Sequence, residues 1–538
     1  MIHHSVQKTP TEKMARPAMN RREFLKISAA AAGGLMTAQT IGCAGSHPVT
    51  PPAPINYLQP RVLTHCHVVD VNRGILLKNQ SILIRQGRIA LIQEEIPITR
   101  DMETIDMGGR YLIPGLIDGH CHTTLPSVGG FDIQSALATL LQIERNYTQQ
   151  IESGVTTVRD TAAFVKVLMT YVNNIETGKI PGPRIVHCGC FFNIDGSHPG
   201  DIKASDVSVF APIALKISGE MFINFKNTES LKERLKENLR TGPSFIKLSL
   251  DDESVLCGKP GKNPIYEEAH KREILKFSET YDLPVVAHVH YKSGFARAQE
   301  FPLFNMEHMV IDQPLSDKEI WRMADNKMSI VPTMILGQLY APPEAFDRMP
   351  KAFQTDFVRN EQEIWRDYFN SDQEQYALPA ITAAQKRFKE KASRFLCEEL
   401  YRKKIFFPKP DLYYGYLTHG VATLLKMKAA GILIGCGTDA GVPFSNHGTL
   451  WREMELYGRI GFTNAEILKC ATLNNAKILR MADQIGTIER GKFADITVLD
   501  TNPLEQISAV RTPRLVIKEG RVLFSKKAMR QEQNRFIV

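Results

Sequence analysis

The chain has 538 residues, too many for one average domain and enough to bury a large core. With 43% hydrophobic and 23% charged residues, it reads as a globular chain and not a disordered or fibrous one. The formal charge is +8, but residues 1–43 hold six Lys/Arg against two Glu, so +4 of it sits in the leader. The remaining +4 is too weak to indicate a nucleic-acid partner, and no basic-aromatic platform accompanies it.

In chain order, the first feature is NRREFLK, Asn20 to Lys26, ahead of an Ala-rich apolar run from Ile27 to Ile41. That run is too short for a permanent membrane span and has the order of a signal peptide. Arg21 and Arg22 followed by Phe-Leu-Lys resemble the signal read by the bacterial twin-arginine translocase, a route for folded proteins. Translation from Met1 or from Met19 fits equally. The run closes on TIGC, which resembles a lipoprotein cleavage box with Cys43 as the acylated residue and Thr40 where Leu is favoured. Residues 44–55 then read as a linker. Together these features set three expectations. The export machinery is a partner, the location is the periplasm or cell envelope, and membrane contact is only through the signal or a lipid on Cys43.

Residues 56–112 alternate short apolar runs around Gly-containing turns, as in SILIRQGRIALIQ. Residues 485–538 repeat that texture in FADITVLD and RLVIKEGRVLF. Two β-rich ends around a long middle predict a small discontinuous β-sandwich built from both ends of the chain. The middle, 113–484, alternates apolar strands with amphipathic charged segments, the pattern of helices covering a parallel sheet. Its strand candidates are LIPGLIDGH, GVTTVRD, RIVHCGCF, SFIKLSL, LPVVAHVH, FNMEHMV, SIVPTMIL and ILIGCGTDAG. Eight such strands predict an α/β fold, a (β/α)₈ barrel with a largely helical insertion at 338–416. Apart from Cys43, the cysteines are scattered with no compact disulfide framework, and Cys188-Gly-Cys190 has no second pair at zinc-finger spacing. They read mainly as buried packing.

Polar residues end these strands in order. His120 and His122 end the first, Lys247 lies in the fourth, and His288, His308 and Asp439 end the fifth, sixth and eighth. Residues i and i+2 of a strand share a face, so His120 and His122 point together into the barrel mouth. Catalytic groups of such barrels gather at the carboxyl ends of the strands.

These motifs resemble the metal-dependent amidohydrolase superfamily, most closely its prolidase-like, imidazolonepropionase-like branch. The resemblance rests on GLIDGHCH, SGVTTVRD, GPRI…GSHPG, VVAHVH, NMEHM, GTDAG and the closing segment from Asn464 to Glu505. It covers roughly residues 60–525 and is weakest over the insertion. It implies two divalent metal ions, with zinc suiting the His/carboxylate set. His120, His122 and Asp439 would hold one ion, His288 and His308 the other, and a carbamylated Lys247 would bridge them. It further implies attack by a metal-bridged hydroxide on a carbonyl, with Asp439 moving the proton to the leaving nitrogen. His198, in DGSHPG, is a candidate for binding substrate or the anionic intermediate. His290 is read as a supporting residue behind His288, and Arg159-Asp160 as a structural ion pair.

The expected reaction is hydrolysis of an amide or peptide-like C–N bond in a small molecule: a dipeptide, N-acyl amino acid or cyclic amide. A lactonase, carbamate or phosphoester hydrolase on the same metals is the alternative. A deaminase or a non-catalytic tethered binding protein ranks lower, and a homo-oligomer stays open. A second triplet, His65-Cys66-His67, lies in the small β domain without partner ligands and reads as a decoy, and Cys121 as packing between ligands.

Overall fold

The computed structural model describes residues 59–127, 133–198, 218–256, 262–340, 354–371, 373–394 and 408–526, with Phe346 and Lys351. The leader 1–43 with Cys43, the linker 44–55, and Cys257 and Cys397 lie outside these residues. Five strands open the described chain: β1 (Arg61–Asp70), β2 (Ile75–Arg85), β3 (Arg88–Gln93), β4 (Glu103–Asp106) and β5 (Tyr111–Pro114). Gly87, at φ 74°, makes the tight turn between β2 and β3 that the sequence signals.

The barrel strands follow. They are β6 (Leu116–Cys121), β7 (Val155–Asp160), β8 (Arg184–His187), β11 (Ile246–Ser249), β12 (Val285–His288), β13 (Asn305–Glu307) and β14 (Ser329–Val331). Two short extra strands, β9 (Phe191–Ile194) and β10 (Phe222–Phe225), sit between the third and fourth barrel positions. Pairing is parallel from β6 through β8 and from β11 through β14. The Ser244 N–H donates to the His187 carbonyl and joins the two groups. The eighth position is the segment 432–440, bridged in parallel at Ile434 to Ile330 and at Ala440 to Cys121. Strands such as VTTVRD, IKLS and VVAH are buried along their whole length, as a parallel sheet covered by helices requires.

Closure of the barrel is tight. A Cβ on Gly119 would lie 2.6 Å from Asn475 Oδ1 and 2.9 Å from the Cys436 carbonyl, so only glycine lets the first and eighth strands meet. Asn475 locks that seam, donating to the Ile117 and Cys436 carbonyls and accepting from Cys436 N. The covering helices start where the sequence supplies caps. In SDKE, Ser316 accepts from Glu319 N, and the Glu319 carboxylate accepts from Ser316 N and Oγ.

The chain returns through β15 (Ile496–Leu499), β16 (Leu515–Lys518) and β17 (Arg521–Ser525). The small domain is one sheet in the order β17-β16-β15-β5-β1-β2-β3, with β4 on β1, so both chain ends build it as expected. The sheet curls on itself: Ile89 N donates to Lys492 O and Ala494 N to Gly87 O. Leu63, Ile82, Leu112, Ile496, Val498 and Leu515 fill the core it encloses.

The insertion is helical over Asp356–Ser371 and Pro379–Arg394. It docks beside the barrel mouth, where Gln385 Nε2 donates to the Ser127 carbonyl and Leu378 N to Gln142 Oε1. Among the described residues no helix is long and apolar enough to cross a membrane.

Candidate metal centre

The strand ends deliver two donor groups. His120, His122 and Asp439 form one, and His288, His290 and His308 the other; within each group the ligand atoms lie within 4.8 Å of one another. All six residues are buried. Three of the backbone positions that aim these side chains are unusual: His308, Asp439 and Thr333 have φ of 70°, 53° and 48°. Left-handed non-glycine backbone costs of the order of 1–3 kcal/mol per residue and gathers at functional sites. Thr333 is β-branched, the least tolerant type, and its hydroxyl lies 2.8 Å from His308 Nδ1.

Each histidine of the first group is held from behind. His120 Nδ1–H donates to Glu307 Oε2 at 2.6 Å and His122 Nδ1–H to the Ala162 carbonyl at 2.8 Å. Those bonds hold both rings with Nε2 facing Asp439 Oδ1, 3.3 Å and 3.1 Å away. His120 Nε2 and Asp439 Oδ1 are nonetheless buried without a hydrogen-bond partner, because they converge on shared space and are not aligned on each other. Burial opposes the charge on Asp439, but His120 and His122 outweigh it and hold the carboxyl well below its usual range.

In the second group, His290 Nδ1 lies 2.9 Å from His288 Nε2, and Tyr416 Oη lies 3.0 Å from His290 Nε2. Burial and the neighbouring histidines keep these rings neutral, with His288 and His308 far below the ordinary imidazole value and His290 down to about 3. Neutral imidazole is the form that offers a lone pair. His290, expected behind His288, bonds to it and lies with His288 and His308 in one candidate donor group. Residues i and i+2 reach the same point, just as His120 and His122 do.

Lys247 acts electrostatically on members of both groups. Its Nζ is fully buried with no hydrogen-bond partner, 5.5 Å from the centre of the Phe191 ring. Burial pushes its amine down to about 8, with Arg159 adding to the fall and Glu307 and Asp439 opposing it. A buried amine with no partner is costly unless something ligates or modifies it. The orphaned atoms of His120 and Asp439 and the neutral imidazoles are donors of the kind that divalent metal ions take.

His198, expected beside the site, is there: its ring centre is 5.8 Å from that of His288, with Nδ1 3.4 Å from Ser254 Oγ. Arg159 and Asp160 do not pair with each other. Arg159 Nη1 meets Glu307 Oε1 at 2.8 Å, whereas Asp160 accepts from Thr123 N and Ala162 N, because alternate strand residues face opposite sides. Of the other triplet, His65 pairs with Asp106 at the surface and His67 Nδ1 accepts from Asn79 N. Cys121 is buried, and its thiol bonds to the Arg159 carbonyl. Cys188 and Cys190 are buried and belong to neither donor group.

Several residues of the site carry no sequence signal of their own. Glu307 is completely buried, shared by His120, Arg159 and Asn305 Nδ2. Asp251 accepts from His290 N and Tyr291 N, and Asp118 from Thr438 N and Oγ1. Tyr340, Tyr413 and Tyr416 give the site an aromatic wall, with ring centres 4.9 Å apart for Tyr340–Tyr413 and 5.7 Å for His290–Tyr413.

A model of the amidohydrolase family matches residues 111–338 and 374–523, which takes in every one of these donors. The chain belongs to the amidohydrolase family. The unmatched part, 339–373, is narrower than the insertion expected from sequence. Ochratoxinase of Aspergillus niger is 23% identical over 469 residues, 82% of each chain. The crystal structure of A. niger ochratoxinase superposes with a TM-score of 0.60 at 18% identity, covering 87% of this chain and 96% of that one. A prolidase structure complexed with N-methylphosphonate-L-proline gives 0.64 at 21% identity, covering 87% of this chain and all of that one. S-triazine hydrolase of Gordonia rubripertincta is 33% identical over 108 residues, 18% of this chain, which spans only 22% of that protein's length. The structural likenesses carry the fold, an amidohydrolase barrel with an appended sheet domain. The family relation makes the chain an amidohydrolase-superfamily hydrolase.

Proposed function

We propose that this amidohydrolase holds two divalent metal ions, zinc by the donor set, and cleaves an amide or peptide-like C–N bond in a small molecule. One observation carries the reading: two buried three-residue donor groups, with members of both feeling the charge of Lys247, whose buried Nζ has no partner. His120, His122 and Asp439 would hold one ion, His288, His290 and His308 the other, and Lys247 as its carbamate would supply a shared oxygen ligand. Bound divalent ions contribute Lewis acidity, which polarises a carbonyl and acidifies a water. The chain does the rest. Asp439 stays a carboxylate at neutral pH, so it can take a proton at Oδ1 and release it to the leaving nitrogen. His198, its ring centre 5.8 Å from that of His288, would hold the substrate carbonyl or carboxylate. Tyr340, Tyr413 and Phe444 favour an aromatic or apolar group beside the scissile bond. The likeness to a prolidase and to ochratoxinase supports this substrate class.

Metal analysis of the purified protein should return close to two equivalents, and isotope-labelled bicarbonate should give a carbamate signal that Lys247→Met abolishes. One equivalent with no carbamate would favour a deaminase-like centre. Asp439→Asn should abolish turnover of a dipeptide and acyl-amino-acid panel while sparing the fold, and retained turnover would remove it as proton carrier. Lactone turnover without amide turnover would move the reading to the ester-type alternative, and no metal-dependent turnover at all would leave a binding protein.

The twin-arginine motif and Cys43 support export to the periplasm or cell envelope, with lipid attachment at Cys43. Replacing Arg21 and Arg22 by Lys should block export in cell fractionation, and normal export would sink that assignment.

A further inference from the structure

A cavity of about 270 Å³ lies at the opposite end of the barrel from the metal residues. Ser244, Pro284 and Phe304, which line it, come just before β11, β12 and β13, so it opens at the amino ends of the strands. In barrels of this kind that face serves stability and chemistry sits at the other. The volume falls just short of the roughly 300–1,000 Å³ of ordinary small-ligand pockets.

The cavity has a polar mouth, apolar walls and a charged end. At the mouth, the Arg480 guanidinium grips the Asp282 carboxylate with two 3.0 Å bonds, and these side chains are 46% and 83% exposed. Phe245, Val286 and Ile478 form buried apolar walls. Arg159 lines the inner end although it is only 1% exposed. Its Nη1 meets Glu307 Oε1 and the Gly119 carbonyl, and its carbon Cζ lies 4.5 Å from the centre of the Phe245 ring. Nε and Nη2 make no hydrogen bond among the described residues, so a guanidinium edge is left for another acceptor. Leaving such donors unmatched in an apolar cavity costs free energy.

We infer that this cavity binds a small monocarboxylate with an apolar body, its carboxylate on Arg159 and its body against Phe245, Val286 and Ile478. The two unengaged N–H edges of a guanidinium match the two oxygens of a carboxylate. Inorganic phosphate would leave the apolar walls uncovered and would face Asp282 with a second negative charge. The site is separate from the metal centre, and Arg159 belongs to both through Glu307.

Benzoate serves as the probe. Calorimetric titration of the metal-loaded protein should show one saturable benzoate site. Its affinity should fall about tenfold or more, roughly 1.4 kcal/mol or above, in Ser244→Trp, which plugs the mouth, with basal turnover unchanged. Crystals of the unaltered protein soaked in 4-bromobenzoate should place bromine between Phe245 and Ile478, a readout that survives if the Trp variant fails to fold. Equal benzoate affinity in both proteins would overturn the inference, and so would bromine found only beside His288 and His308. Bromine in the cavity without saturable binding in solution would show binding at crystal concentration only, and would also overturn it. Phosphate binding as tight as benzoate would refute the carboxylate assignment.

Discussion

Glu307 keeps its charge although no part of it reaches solvent. Burial alone would protonate it, but Arg159, Lys247 and His120 hold its carboxyl far below the usual range. Glu307→Gln should therefore leave Arg159 uncompensated and loosen the His120 tautomer. Metal affinity, read by competition with a chelator, should fall about 10–100-fold. Asp252 shows the same balance nearer the surface. Burial raises it, but hydrogen bonds from Ser293, Lys262 and Arg297 hold it well below the ordinary carboxylate value. Its folded pKa is depressed, so its contribution to stability is fully present above the unfolded value near 4 and is lost as pH falls below it. Denaturant titrations at pH 7 and pH 3 should show the stability gap between native protein and Asp252→Asn shrinking in acid; an unchanged gap would refute the account. At this scale sequence reading finds the ligand histidines, because strand-end position and i,i+2 spacing are visible along the chain. It misses Glu307 and Asp251, which become partners of His120 and His290 only once the strands lie side by side. Arg159 and Asp160 look like a pair in sequence for the opposite reason: adjacency on a strand separates side chains.

Among the elements, the turn Tyr416–Gly420 is the one whose shape matters most to the site. It is a π-helix, and Thr418 inside it leaves helical geometry at φ −111° and ψ −105°. Such wide turns recur at functional positions, and this one carries Tyr416 to His290. Tyr416→Phe should lower kcat about tenfold while leaving the thermal midpoint almost unchanged, since only the hydroxyl beside His290 is lost. The strands and capped helices are legible from periodicity and from motifs such as SDKE. The π-turn is not, because nothing in YLTHG departs from ordinary helical composition. The eighth strand is legible as ILIGCGTDAG, but it pairs only at single bridges, where glycines bring it hard against β6 and β14. Of the extra strands, β9 starts at the last residue of RIVHCGCF, and β10 falls outside every run that reads as a strand.

Across the molecule, barrel and sheet are riveted at Arg184. From β8 it reaches Asp495 at 2.6 Å and Glu519 at 2.7 Å, and its guanidinium lies 4.6 Å from the Phe493 ring centre. Arg184→Ala strands two carboxylates in a largely buried place, and unfolding by denaturant should show a loss of about 3 kcal/mol. If the two parts were independent, that loss would be near zero. The discontinuous layout of the small domain is legible from its two β-rich ends, whereas this ion pair across the join is not.

The antiparallel pairing of β5 with β15 has a further consequence, in time. Ile113 faces Thr497, a contact about 380 residues apart along the chain. At roughly 5–20 residues per second, β5 emerges from the ribosome on the order of 20–80 s before its neighbour exists. Through that interval one flank of β5 has no strand beside it, and long-range pairing of this kind is slow to form. The sheet can close only after β15, β16 and β17 are made. Completion of the small domain is thus timed by the synthesis of β15 to β17.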